Sequence, residues 1–196
     1  MGNGTITRDK ILLAALEVFT HQGYEGARME KIASMVGINK ASLYFHFKSK
    51  EDIFRELFLD ILEKYQSMLT TVINESKGLN CRERLRVLYK RYLEYNLDNM
   101  EMSFWNRIYY AAPEFMRDEI IEVTGDSKTT FIHDISTIME EGIRNNELKP
   151  MDSTSMAMTY YYVITCIDLS ADLMKKEDAI LEMNQCFEVI WNGIKA

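Results

Sequence analysis

Apolar residues recur along this chain at helical spacing almost throughout, and nowhere do they alternate as a row of strands would. Ile11, Leu12, Ala15, Leu16, Val18 and Phe19 share one broad face, so a first helix is expected there. Thr7 offers its N-cap, Asp9 an acid for its first turn, and Gly23 a residue for the position past its end. Met29, Ile32, Ala33 and Val36 fall at i, i+3, i+4 and i+7, the stripe of a short second helix. Gly37 follows where a tight turn wants positive φ, and Asn39 then caps a third short helix, Lys40 to about Phe47, that buries Leu43 and Phe47. Ser49 and Asp52 make the S-x-x-D start of a fourth, whose stripe Ile53, Phe54, Leu57, Phe58, Ile61 runs on unbroken to about Ile73, six or seven turns.

The rest of the chain continues in the same style. Asn74 to Asn80 reads as a loop, and Asn80 with Glu83 caps a helix carrying Leu85, Leu88, Tyr89 and Tyr92. Met100 to Ala112 is aromatic-rich and ends at Pro113. A kinked helical region passes Phe115, Ile120 and Val123, Gly125-Asp126 predicts a break, and Phe131 to Ile143 forms another helix. Met156 to Met174 is apolar on nearly every face, which predicts a helix buried all round. A last helix starts near Asp178. The expected fold class is all-α.

Chemistry concentrates in one stretch. Two short helices joined by a glycine turn, the second presenting Lys40, Ser42, Tyr44, Phe45 and His46, read as a helix-turn-helix. Lys50 falls in the first turn of the next helix, where free backbone N–H groups and a cation can share a phosphate. The net charge of −7 at first argues against a nucleic-acid partner, but its distribution reverses that. Residues 1–50 hold seven Lys or Arg against four Asp or Glu, a balance of +3; residues 51–196 hold sixteen against twenty-six, a balance of −10. A basic head on an acidic body suits a protein that meets phosphate with one end.

The order IASMVGINKASLYFHFKSKEDIF, preceded by F-x-x-x-G-Y at Phe19 to Tyr24, resembles the TetR family of bacterial transcriptional repressors over roughly the first quarter of the chain. The resemblance implies an N-terminal three-helix helix-turn-helix DNA-binding domain, here residues 1–50, and a C-terminal helical ligand-binding and dimerisation domain, here 51–196. It also implies double-stranded DNA, a second copy of the chain and an unidentified small-molecule effector as partners. Carried over position by position, Lys40, Ala41 and Phe45 are expected at base edges, and Tyr44, His46 and Lys50, with Arg28 and Ser42, at phosphates. One departure is Ala27-Arg28, where the family commonly has a hydroxyl residue capping the second helix.

In the body, Tyr92, Phe104, Trp105, Ile108 and Tyr109, with Met139, Tyr160 and Ile164, are the candidates to line an effector pocket. Thirteen methionines suit an adaptable apolar site and a repacking core equally. The final helix, through Ile180, Met183, Asn184 and Phe187 and on to Ile190, Trp191 and Ile194, is expected at a homodimer interface, since two apolar terminal helices exceed what one small bundle needs and the resemblance implies the same; the alternative is a monomeric core. Cys81, Cys166 and Cys186 are far apart and form no C-x-x-C pair, so no metal or cofactor is expected, and Cys166 and Cys186 read as buried free thiols. His21, His46 and His133 do not cluster. The longest uncharged apolar run, Met156 to Ile167, is too short to span a bilayer, and the N-terminus has no apolar signal segment, so a cytoplasmic location is expected. The other function classes are a DNA-bound scaffold that senses a protein partner or nothing, discriminated by a closed aromatic pocket, and an all-helical enzyme. The second needs convergent titratable groups, whereas Arg107, His133 and Asp168 are scattered.

Overall fold

The computed structural model describes residues 2–171 and 175–196, with side chains over 7–167 and 175–196. Among these residues there are nine α-helices: α1 (Gly2–Gly26), α2 (Met29–Val36), α3 (Lys40–His46), α4 (Lys50–Glu75), α5 (Cys81–Asn96), α6 (Met100–Tyr110), α7 (Arg117–Arg144), α8 (Ser153–Ala171) and α9 (Lys176–Ile194). A 3-10 turn at Glu114–Met116 joins α6 to α7. The one β-type pairing among them is the isolated bridge between Leu148 and Lys195.

Local chemistry accounts for most of the boundaries. The side chains of Asn39, Ser49, Asn80 and Asn99 each accept from a backbone N–H at the start of their helix, at 2.8, 3.1, 2.9 and 3.0 Å. Two expectations fail. Thr7 lies inside α1, which begins at Gly2, so the helical backbone simply continues past a capping preference of about 1 kcal/mol. Gly125 does not break α7 either: the helix runs through it, because one glycine costs only about 1 kcal/mol and Ile120, Phe131, Ile135 and Ile138 are all buried along the same helix. A Cβ added at Gly125 would meet nothing within 4 Å. Gly125→Ala is therefore expected to stabilise the fold by about 0.5–1 kcal/mol, seen as a higher midpoint in denaturant with unchanged slope.

The chain divides into two compact units, Met1–Lys64 with Asn99–Ile120, and Tyr65–Asp98 with Ile121–Ala196. In the first, α1, α2, α3, the first part of α4 and α6 share one core, in which Ile11, Ile32, Leu43, Ile53 and Phe58 are fully buried. Phe54 meets Phe19 edge-on at 5.2 Å and Phe104 at 5.3 Å, and the Trp105 ring stacks on Phe58 at 5.7 Å. Arg8 on α1 pairs with Glu56 on α4 and lies 4.6 Å over the Phe47 ring, which ties the end of α3 to both.

In the second unit, Leu85, Leu88, Tyr89, Phe131, Ile135, Met139 and Tyr160 are buried together with residues of α9. The Tyr160 hydroxyl donates to the Leu85 carbonyl at 2.6 Å. The chain end is held by Lys149 N–H to the Ile194 carbonyl at 2.8 Å and Ala196 N–H to the Glu147 carbonyl at 3.0 Å. Composition predicts that helix α8 is buried on every side, and it is not: Met156, Tyr160 and Ile164 face inward, while Met158, Tyr162 and Cys166 lie one turn apart on an exposed stripe. Cys186 is half-buried, and of the three thiols only Cys81 is buried, which pushes its pKa up to about 12.

Candidate nucleic-acid interface

The turn between α2 and α3 is built from the residues that suit it. Gly37 takes φ 77°, the left-handed conformation that L side chains disfavour, and Ile38 N–H closes back on the Ala33 carbonyl at 3.0 Å. Leu43 and Phe47 are buried and fix the roll of α3, so the side chains between them must point away from the core. Lys40, Ala41, Tyr44 and Phe45 form that outward face. Phe45 is 87% exposed, far more than a phenyl ring would be in a helix that serves only packing. Ser42 and His46 flank the face half-buried, and the Phe45 and His46 rings meet edge-on at 5.5 Å.

Of the remaining expected DNA contacts, Arg28 is exposed and occupies the N-cap position of α2 with no side-chain cap, the consequence of lacking a hydroxyl there. Lys50 is turned inward. Its ammonium donates to the carbonyls of Tyr24 at 2.7 Å and Ala27 at 3.3 Å and lies 4.0 Å over the Tyr24 ring. It thus ties α4 to the junction between α1 and α2. The Tyr24 hydroxyl donates to Glu51 at 2.6 Å, and burial together with that carboxylate pushes its pKa well above the usual range. Gly23 completes the junction: φ is 70°, and an added Cβ would lie 2.9 Å from the Arg107 guanidinium, which itself donates to the Thr20 carbonyl at 3.2 Å. Two groups were given no role from the sequence. Lys48, quoted there within K-S-K, is exposed two residues past α3, and Glu30 on α2 pairs with Lys40.

The residues expected around an effector fall in two sets. Phe104, Trp105, Ile108 and Tyr109 belong to the first unit, where Phe104 and Ile108 are core and Tyr109 is exposed. Tyr92, Met139, Tyr160 and Ile164 belong to the second and are all buried. Near them the Tyr89 hydroxyl and the Asn96 side-chain oxygen are buried with no hydrogen-bond partner. Periodicity marks these positions as inward but cannot show that a polar atom is left unpaired. Among the residues expected at a dimer face, Met183, Phe187 and Ile194 are instead buried in their own unit, with Phe187 against Tyr89 at 5.5 Å. Asn184, Ile190 and Trp191 are half-buried, Trp191 beneath the Arg82 guanidinium at 5.7 Å, and Ile180 is exposed. The apolar residues that α9 leaves most exposed are Leu181 and Val189. Asp168 lies outside the residues whose side chains are described. Among the described residues no helix is long and apolar enough to cross a membrane, and no cluster of His, Cys, Asp or Glu is placed to hold a metal ion.

A short helix anchored by two buried residues, turned outward after a left-handed glycine, defines a helix-turn-helix protein. Residues 11–57 match the profile of the bacterial regulatory proteins of the tetR family. The uncharacterized HTH-type transcriptional regulator YhgD of Bacillus subtilis is 25% identical over 167 residues, covering 84% of this chain and 85% of its own. The HTH-type transcriptional regulator RutR of Escherichia coli is 30% identical over 145 residues, 72% of this chain and 64% of RutR, so the match stops short of two thirds of that relative. The fold matches the transcriptional regulator FadR of Bacillus subtilis in complex with stearoyl-CoA, with a TM-score of 0.69 at 21% identity over 95% of this chain and 98% of that one. The likeness to the TetR family of helix-turn-helix transcriptional regulators thus lies in residues 11–57, and the chain as a whole shares its fold with FadR.

Proposed function

We propose that the protein is a homodimeric repressor that leaves a palindromic operator when a small, mostly hydrophobic ligand enters its second unit. DNA binding is assigned to residues 1–50, and regulation and dimerisation to 51–196. The observation that carries this reading is the outward face of α3, where Lys40, Ala41, Tyr44 and Phe45 stand together on a helix pinned by Leu43 and Phe47. Lysine suits guanine O6 and N7, and alanine and phenylalanine suit a thymine methyl. Tyr44, Ser42, His46 and Arg28 are assigned to phosphate. Lys50 joins them by turning outward from the Tyr24 and Ala27 carbonyls. A two-fold dimer would place two such helices about 34–36 Å apart, one turn of DNA.

The second unit is the better place for the effector. Tyr92, Met139, Tyr160 and Ile164 supply apolar and aromatic surface, and the unpaired oxygens of Tyr89 and Asn96 offer a ligand its polar anchor. The FadR neighbour holds stearoyl-CoA, and an acyl thioester meets both requirements: a long apolar body and polar groups at one end. Coupling to the head follows from α4, whose residues to Lys64 belong to the first unit and from Tyr65 to the second. A ligand that favours one setting of α4 moves α3 with it. The two-fold contact is assigned to the exposed sides of α8 and α9, with Ile180, Asn184, Ile190 and Trp191 beside Leu181 and Val189.

The test is reciprocal. Acyl thioesters of graded chain length are screened by quenching of Trp105 and Trp191, and a binder is titrated with and without promoter DNA taken from beside the gene. A ligand that weakens DNA binding about 100-fold carries about 2.7 kcal/mol of coupling, and by linkage DNA must weaken the ligand by the same factor. Ligand affinity indifferent to DNA would overturn the release mechanism, and a protein that binds DNA but no ligand would support the scaffold reading.

A further inference from the structure

Between Arg28 and Lys50 the chain carries five Lys or Arg and one acid, Glu30. It stands in the first turn of α2, and its carboxylate pairs with the ammonium of Lys40, the first residue of α3. Both side chains remain more than half exposed. An exposed ion pair contributes little to folding, so stability does not account for it. A carboxylate on a face that meets phosphate also repels the DNA backbone, a cost that has to be offset by something it does for the contact with bases.

We propose that Glu30 is a specificity-determining residue, which holds the Lys40 ammonium for a base edge and withholds its charge from phosphate. The inference rests on the reading that α3 enters the major groove. A free lysine is a mobile point charge on a four-carbon stem and will neutralise whichever phosphate it reaches. Here Glu30 on one side and the Tyr44 ring, 5.8 Å from the ammonium, on the other restrict where it can go. The ammonium has three donors, so it can keep Glu30 and still donate to guanine O6 and N7. Sequence-specific contact is retained while the sequence-independent one is cancelled, the repulsive half of discrimination. The shared hydrogen bond lowers the pKa of Glu30 and raises that of Lys40, so both stay charged at neutral pH.

Binding is measured for the full chain and for Glu30→Gln, Glu30→Asp, Lys40→Met and the Glu30→Gln/Lys40→Met double variant. The probes are a random-sequence 30-base-pair duplex and an operator duplex selected by the wild-type protein from a random library. Glu30→Gln is expected to tighten random duplex about 3–10-fold, steepen its salt dependence by about one unit per protomer, and leave operator affinity within about twofold. The preference for operator then falls. Glu30→Asp, which keeps the charge but loses the reach, is expected to lose preference as well. In the Lys40→Met background Glu30→Gln should leave the preference unchanged. Equal tightening on both duplexes, wild-type behaviour of Glu30→Asp, or a change of preference that survives without Lys40 would each overturn the proposal. Failure of the wild type to bind any duplex would instead remove the reading beneath it.

Discussion

Phe187→Asp is expected to unfold the second unit rather than merely to divide a dimer. The Phe187 ring is 3% exposed and packs on Tyr89, whose ring also meets Tyr160 at 5.4 Å. Deleting a buried phenyl group costs about 3–5 kcal/mol, and a carboxylate in its place adds the expense of burying an unpaired charge. Domains of this size have about 5–15 kcal/mol in total, so most of the margin goes. Circular dichroism should show an early loss of helix on heating. Val189→Asp supplies the contrast: Val189 is 74% exposed on the same helix, so that variant should keep its helix content at about 25 °C and appear as a monomer by light scattering. A folded, monomeric Phe187→Asp protein would show that the ring belongs to a dimer face after all.

Phe45→Ala is expected to do the opposite, leaving the fold alone and crippling recognition. With 87% of the residue in solvent there is little packing to lose, and the change in stability should stay within about 0.5 kcal/mol. If the ring is buried against a thymine methyl, its loss removes about 1.5–3 kcal/mol of apolar contact, roughly 10- to 150-fold in operator affinity. Binding to random duplex should hardly move, because phosphate contacts come from other residues. A stability loss larger than the binding loss would place Phe45 in a packed interface of the protein itself.

The head was far more legible than the body. Gly37, Asn39, Ser49, Asn80 and the stripe of α4 all do in the structure what their types and spacing predict, because a cap or a left-handed turn is decided within four or five residues. The same locality makes the helix-turn-helix readable: Leu43 and Phe47 at i, i+4 leave Lys40, Ala41, Tyr44 and Phe45 no direction but outward. Where the periodicity saturates, as in α8 and α9, it loses its power. An apolar residue on every face says that burial is available but not which face takes it, and so Phe187 and Val189 look alike in sequence.

Sequence alone thus determined the helical class, most of the helix ends and the outward setting of Lys40, Tyr44 and Phe45 on α3, since each depends on near neighbours along the chain. Only the tertiary structure decided the rest. It carried α7 through Gly125, because burial along the helix outweighs the preference of one residue. It set the Lys50 ammonium on the carbonyls of Tyr24 and Ala27, acceptors more than twenty residues away. It set Glu30 against Lys40 and left the oxygens of Tyr89 and Asn96 without partners. A long side chain chooses among all the groups within its reach, and which groups those are is settled by how the helices pack.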